Sequence, residues 1–348
     1  MPSIILAIIF CWALTLLVNR GVESASFVNT IGTFFKVIPL FLFIIITIIF
    51  FKGHMFTTDF WGNVANNFSK GTVTGSVFDQ LKGTLSTLIW VFIGVEGASV
   101  MGHRAKTRSQ AQQATIIGFI MLLAIYVMIS IIPYGTLTRA QLASASQPAL
   151  GNDLELIVGH WGAMIINIGL IISTVISWLS WTMLPAETTM LIAKDKVMPS
   201  LWGRLNEKNA PTASLYITAI LQTIFLFSLL FTSEAYNFAY SLASAAILFS
   251  YLFVGLYQMK YSHKHQEWGQ FTIGLLSALF MLACMFLSGW QQMLLVSISF
   301  IPGFIIYYQA VREDHRDLGG KEKAVMGLIL LLSVVAIYLV ANGTIVVA

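Results

Sequence analysis

The chain has 348 residues, of which 57% are hydrophobic and only 10% charged, and its mean hydropathy is +0.81. Soluble globular domains carry about 25% charged residues, so that class is excluded. The net charge of +4 is explained below by unequal loops and calls for no nucleic acid. No Gly-rich phosphate loop and no His/Cys cluster at metal-ligand spacing appears. Catalysis has little to stand on, and no cofactor or metal is expected.

Apolar stretches of about 20 residues, each long enough to cross a bilayer, recur along the whole length. Ten spans are expected, at 3–19, 29–51, 82–101, 114–133, 158–191, 213–232, 235–258, 271–288, 291–309 and 324–346. The chain reads as an all-α polytopic membrane protein with one membrane domain.

The first span, "MPSIILAIIFCWALTLLV", opens directly in apolar residues with no basic residue before it and no evident cleavage site. That is not the pattern of a signal peptide. A first span with its start outside explains it, and so does a missing upstream portion. Cys11 here and Cys284 later both lie inside apolar segments and read as packing residues, not a disulfide.

The second span carries Lys36, in "TIGTFFKVIPLFLF". An ammonium two turns inside the span either snorkels to the interface at small cost or is kept for a purpose. Pro39, three residues on, frees a backbone carbonyl that offers a partner. The polar stretch 52–81 then reads as a short surface helix at the outer interface.

The third span raises the sharpest question. "WVFIGVEGASVMGHRAKTRSQ" sets one carboxylate, Glu96, among Gly94, Gly97 and Gly102, and ends in a burst of positive charge. A carboxylate at membrane depth costs several kcal/mol unless compensated. Flanking glycines suit a helix that unwinds at mid-depth and exposes backbone to a solute. Glu96 is read as an acid that changes charge, or contacts a substrate or gate, near such a break. The alternative is a protonated acid packed against a neighbouring helix. Trp90 is too deep for an interfacial belt; it lines a pocket or packs in the bundle.

The run at 158–191 exceeds 30 residues, so its helix must tilt or protrude. It holds Trp178, Trp181, Pro185 and Glu187. Glu187 falls near the inner exit, where a gate or a salt bridge to a loop lysine would satisfy it. The basic stretch "GHRAKTRSQAQQA" is a topology signal that could also serve as an inner gate.

If the first span runs outside to inside, fourteen lysines and arginines face the cytoplasm, in the loops around Arg20, Arg104, Lys196, Lys260 and Arg316. Four, namely Lys52, Lys70, Lys82 and Arg139, face out. That asymmetry sets the start of the chain outside.

"WVFIGVEGASV" followed by a basic loop and another span resembles the sixth helix of the amino acid–polyamine–organocation superfamily. "SWTMLPAETTMLIAKDKVMPSLWGRLNEKNAPTASL" is similar to the eighth helix and following loop of its basic amino acid/polyamine antiporters. "RGVESASFVNTIGTFFKVIPLFLFIIITIIFFKGHMF" resembles the same group's end of helix four and helix five. The resemblance covers essentially the whole chain and is strongest to the arginine/ornithine antiporters.

It implies a LeuT-like fold of two inverted five-helix repeats, with helices one and six broken at the midplane. The spans here match helices four to twelve plus one extra, so the first three helices have no counterpart and the fold is N-terminally incomplete. Residues 1–51 end the first repeat, 82–258 form the second, and 271–346 hold the C-terminal helices.

The implied function is exchange of cationic amino acids, arginine for ornithine, across the cell membrane, with a homodimer as one assembly. Trp90 then matches the aromatic that closes over the substrate, Ile93 a neighbouring pocket residue and Trp181 the aromatic on the substrate's aliphatic part. Glu96 matches the acid of proton sensing and gating, and Lys36 an ammonium standing in for a sodium ion. The alternatives are a histidine/histamine or tyrosine/tyramine exchanger, a lysine permease, or a non-transporting fragment.

Overall fold

The computed structural model describes residues 2–58, 77–230 and 235–345. Among them the long helices are α1 (Pro2–Asn19), α2 (Val22–Ile49), α3 (Val77–Phe92), α4 (Arg108–Ile131), α5 (His160–Lys194), α6 (Thr212–Ser228), α7 (Ala235–Lys264), α8 (Trp268–Ser288), α9 (Trp290–Ser299), α10 (Ile301–Glu313) and α11 (Gly320–Ala341). No strand occurs among the described residues.

Among the described residues nine stretches are long and apolar enough to cross a membrane. Of the tenth expected span, 213–232, the described part is helical over Thr212–Ser228, 17 residues, and residues 231 and 232 lie outside the described set. The expected surface helix in 52–81 is seen as Gly53–Thr58; residues 59–76 lie outside the described set. Helix α5 is 35 residues long, about 52 Å against a hydrocarbon core of about 30 Å, the length that requires it to tilt or project.

The chain divides into two compact units. The first comprises residues 1–66, 95–191 and 201–224. Its spine is a seam between α2 and α5. On α2 the residues Val22, Ala25, Asn29, Gly32, Lys36, Pro39 and Phe43 recur at alternating steps of three and four, which aligns them on one face.

Across from them, Ala25 shares a buried cluster with Met183, and Val22 with Ala186. The Ser180 hydroxyl donates to Asn29 Oδ1 at 2.7 Å. A side chain on Gly32 would collide with Ile176, and one on Gly169 with the Pro39 ring. Phe43 and Ile166 close the far end in a second buried cluster.

Partner numbers fall as α2 numbers rise, so the two helices run antiparallel in one register. Small residues on the seam make room for the side chains opposite: Gly32 for Ile176, and Gly169 for the proline ring inside α2. At the other end of the unit Asn19 ties down the loop before α6. Its backbone carbonyl accepts from Asn206 Nδ2 at 2.8 Å, and its side-chain Oδ1 accepts from Thr212 Oγ1 at 2.7 Å.

The second unit comprises residues 67–94, 192–200 and 225–348. Its core is the antiparallel pair α7 and α8, which meet through Gly255, Gly274 and Ala278. A Cβ on Gly274 would lie 2.9 Å from the Met259 nitrogen and 3.0 Å from the Gly255 oxygen. These are backbone atoms and cannot swing aside.

Gly274→Ala should therefore cost about 1–3 kcal/mol and lower the thermal midpoint of the detergent-solubilised protein. Gly269→Ala, on the same helix but facing open space, should leave it unmoved. Equal midpoints would remove the α7–α8 contact as a determinant of stability. Cys11 and Cys284 are both buried and form no disulfide; the Cys11 thiol donates to Gln222 Oε1 at 3.0 Å.

Candidate functional site

The third span does not form one helix. α3 stops at Phe92, residues 93–96 form a turn, and helix resumes over Gly97–Val100 before tightening into a 3-10 turn at Met101–Arg104. Gly94 adopts φ +105°, a conformation closed to most L-residues. Glu96 is the N-cap of the second half; its carbonyl accepts from Ser99 N at 2.8 Å and Val100 N at 3.0 Å. Its side chain is half-buried. The break expected from glycines around an acid is present.

Trp90 and Ile93 belong to the second unit; Glu96, Trp181 and Lys36 belong to the first. Trp90 keeps 39% of its surface exposed. Its ring centroid lies 4.8 Å from that of Tyr240, whose hydroxyl donates to Thr87 Oγ1 at 3.3 Å. Trp181 is 42% exposed, whereas its neighbour Trp178 packs on the buried cluster of α1, α2 and α5.

Lys36 occupies the seam face of α2, between the Gly32 and Pro39 contacts, and by register falls opposite Ile172 and Ser173. It is half-buried. Its expected partner is not found: among the described residues the ammonium reaches no hydrogen-bond or ion-pair acceptor, the carbonyl freed by Pro39 included.

The best-built polar cluster is one the sequence only half anticipated. Glu187, on α5, is 1% exposed. Its partner is not a loop lysine. Arg104 Nη2 donates to Glu187 Oε1 at 2.6 Å and to the Asn209 carbonyl at 3.0 Å, and its side chain stays 25% exposed. His103 Nε2 lies 3.1 Å from Oε2, yet no aligned hydrogen bond reaches that oxygen.

The other ring nitrogen, His103 Nδ1, sits 2.8 Å from the Val100 carbonyl. A carbonyl only accepts, so Nδ1 carries a hydrogen. Nε2 then carries one only in the imidazolium form, and only that form is attracted to the carboxylate. Beside this trio lies a cavity of about 540 Å³, bounded by Glu23, Ser26, Ala98, Gly102, Arg104 and Gln110 among others. Arg104 is the wall shared by the cavity and the buried acid; Glu96 does not line it.

A second buried acid, Asp153, was not anticipated at all. It lies on the short helix Ala149–Val158, outside the spans, is 5% exposed, and its Oδ1 lacks a partner. Burial pushes its carboxyl up from 3.8 to about 6. The folded state thus holds a proton that the unfolded state has lost between those pH values. Stability should fall as pH rises from 3.8 to about 6 and stay reduced above it.

Asp153→Asn should be neutral at pH 4 and stabilising by up to about 3 kcal/mol at pH 7, read from thermal midpoints at the two pH values. A gain of the same size at both would remove the titration argument.

A profile of the amino acid permease family matches residues 1–312. An arginine/ornithine antiporter of Latilactobacillus sakei is 47% identical, with 100% of this chain and 74% of the relative aligned. One from Lactococcus lactis subsp. cremoris is 40% identical over 97% of this chain and 66% of the relative. An arginine/agmatine antiporter of Chlamydia pneumoniae is 35% identical over 99% and 73%. The chain spans about two-thirds to three-quarters of these relatives' lengths. It belongs to the amino acid permease family, and it is a multi-pass membrane protein.

Proposed function

We propose that this chain exchanges cationic amino acids, arginine for ornithine, by alternating access across the cytoplasmic membrane. The observation that carries the reading is its end-to-end match to arginine/ornithine antiporters. The helix broken beside Glu96 supports it, because unwound backbone at membrane depth is stable only where it lines a cavity or is buried in protein.

Trp90, Ile93 and Trp181 are the substrate contacts in this reading, the indoles covering the aliphatic stem or facing the cationic head. Glu96 is the gating and proton-sensing acid. Lys36 supplies a fixed positive charge where a sodium ion would otherwise sit; its place on the seam face of α2 favours an interior role over snorkelling. The start of the chain lies outside, which puts the Arg104 end of the broken helix at the cytoplasm.

Arginine and ornithine each carry one net positive charge, so a one-for-one exchange moves no net charge. Strict exchange requires that the unloaded protein return across the membrane more slowly than the loaded one. Vesicles loaded with ornithine should take up labelled arginine at least about tenfold faster than empty ones, a difference of about 1.4 kcal/mol in barrier.

Excess ornithine should compete, histidine and tyrosine should not, and an imposed potassium-diffusion potential should leave the rate unchanged. Exchange against agmatine, favoured by the chlamydial relatives, would move net charge and respond to that potential. Equal uptake into loaded and empty vesicles would end the exchange reading.

A further inference from the structure

We infer that Glu187 is a second, transient station for the cationic side chain of the cargo, held shut by Arg104 acting as a tethered guanidinium. The inference deepens the exchange reading and rests on it.

Four observations carry it. Glu187 is 1% exposed, so its charge cannot be left to water. If Arg104 leaves, another cation must take its place, because an unpaired buried carboxylate is strongly unfavourable. Second, Arg104 both donates to Glu187 and lines the cavity of about 540 Å³, so its departure opens the carboxylate to a space of ligand size.

Third, the existing pairing is incomplete. One guanidinium nitrogen serves Oε1, while Oε2 has no aligned hydrogen bond and faces only His103 Nε2 at 3.1 Å. A carboxylate can take a two-pronged guanidinium, and that capacity is unused here. Fourth, Arg104 can move. It ends a single 3-10 turn and is followed by Ala105 in extended conformation, so a swing there breaks no long helix.

The exposed carboxylate of Glu23 on the cavity wall gives an arriving cation its first attraction. Replacing one guanidinium or ammonium by another leaves the local charge unchanged, so the swap selects cationic cargo. A neutral amino acid has nothing to offer Glu187 and leaves Arg104 in place.

The test uses the full chain in vesicles, with Cys11 and Cys284 replaced by alanine and Ala98→Cys placed on the cavity wall. The probe is a membrane-impermeant maleimide. Arginine should raise the labelling rate about tenfold, whereas citrulline, its uncharged near-isostere, should not. In Glu187→Gln, which keeps a hydrogen-bond acceptor for Arg104, labelling should already be fast and arginine should add nothing.

Arg104→Lys should restore slow basal labelling and the arginine response, which a merely structural contact would not require. If the response in Glu187→Gln equals that of the parent, with ornithine-driven uptake intact in the parent, the station is disproved and the exchange reading survives. If the parent shows no such uptake, the exchange reading fails and this inference with it.

Discussion

Arg104→Met should destabilise the protein by roughly 3–5 kcal/mol, the usual consequence of stripping a buried carboxylate of its partner. Glu187 is 1% exposed with Arg104 in place, and any water that enters from the adjoining cavity brings no charge to replace the lost guanidinium. The double variant Arg104→Met with Glu187→Met should recover most of that loss, because two apolar side chains of suitable length replace two charges that were costly to bury.

Thermal midpoints of the single and double variants in detergent decide it. If Arg104→Met alone melts with the parent, the pair contributes little to stability. Glu187→Gln is the milder control: it removes the charge while keeping an oxygen for Arg104 to donate to, and should fall between the two.

Gly94→Ala should reduce ornithine-driven arginine uptake by at least about tenfold, through strain and not through loss of a contact. At φ +105° a Cβ costs about 1–3 kcal/mol. The turn can relieve that only by moving toward helix, which would withdraw the unwound backbone and re-aim Glu96. Gly97→Ala, three residues on, would meet only Leu184 at ordinary packing distances of 3.5 and 3.6 Å and should be tolerated.

The contrast matters more than either number. Both changes add one methyl group to the same short stretch, yet only one opposes the backbone conformation. Uptake at the parental rate in Gly94→Ala would mean that the open turn takes no part in transport.

Long apolar runs made most of the fold legible, because a bilayer imposes a length on every crossing helix. The ends were less legible. α2 begins at Val22, seven residues before the apolar run expected there, since Glu23, Ser24, Ser26 and Asn29 are polar yet continue the same helix. Hydropathy registers the membrane, not the hydrogen-bond ladder.

The break at 93–96 was readable because glycine and an acid inside an apolar run are both local signals. The partner of Glu187 was not, for Arg104 lies 83 residues away in sequence and any of several loop cations would have served equally well on paper. Asp153 left no trace in composition or period, because the burial of a short connecting helix is a tertiary fact. Lys36 stood between two readings, and hydropathy could not show which face of another helix lies opposite it. The three-four spacing of small residues around it was the available clue.

That clasp of α2 on α5 has a mechanical consequence. With Gly32 filled by Ile176 and Pro39 seated at Gly169, sliding either rod along the other by even one residue would drive methyl groups into backbone. The two must travel as a single spar. Whatever displacement a transport cycle demands of this part of the molecule has to be absorbed at its soft joints, the open turn around Gly94 and the extended link after Arg104.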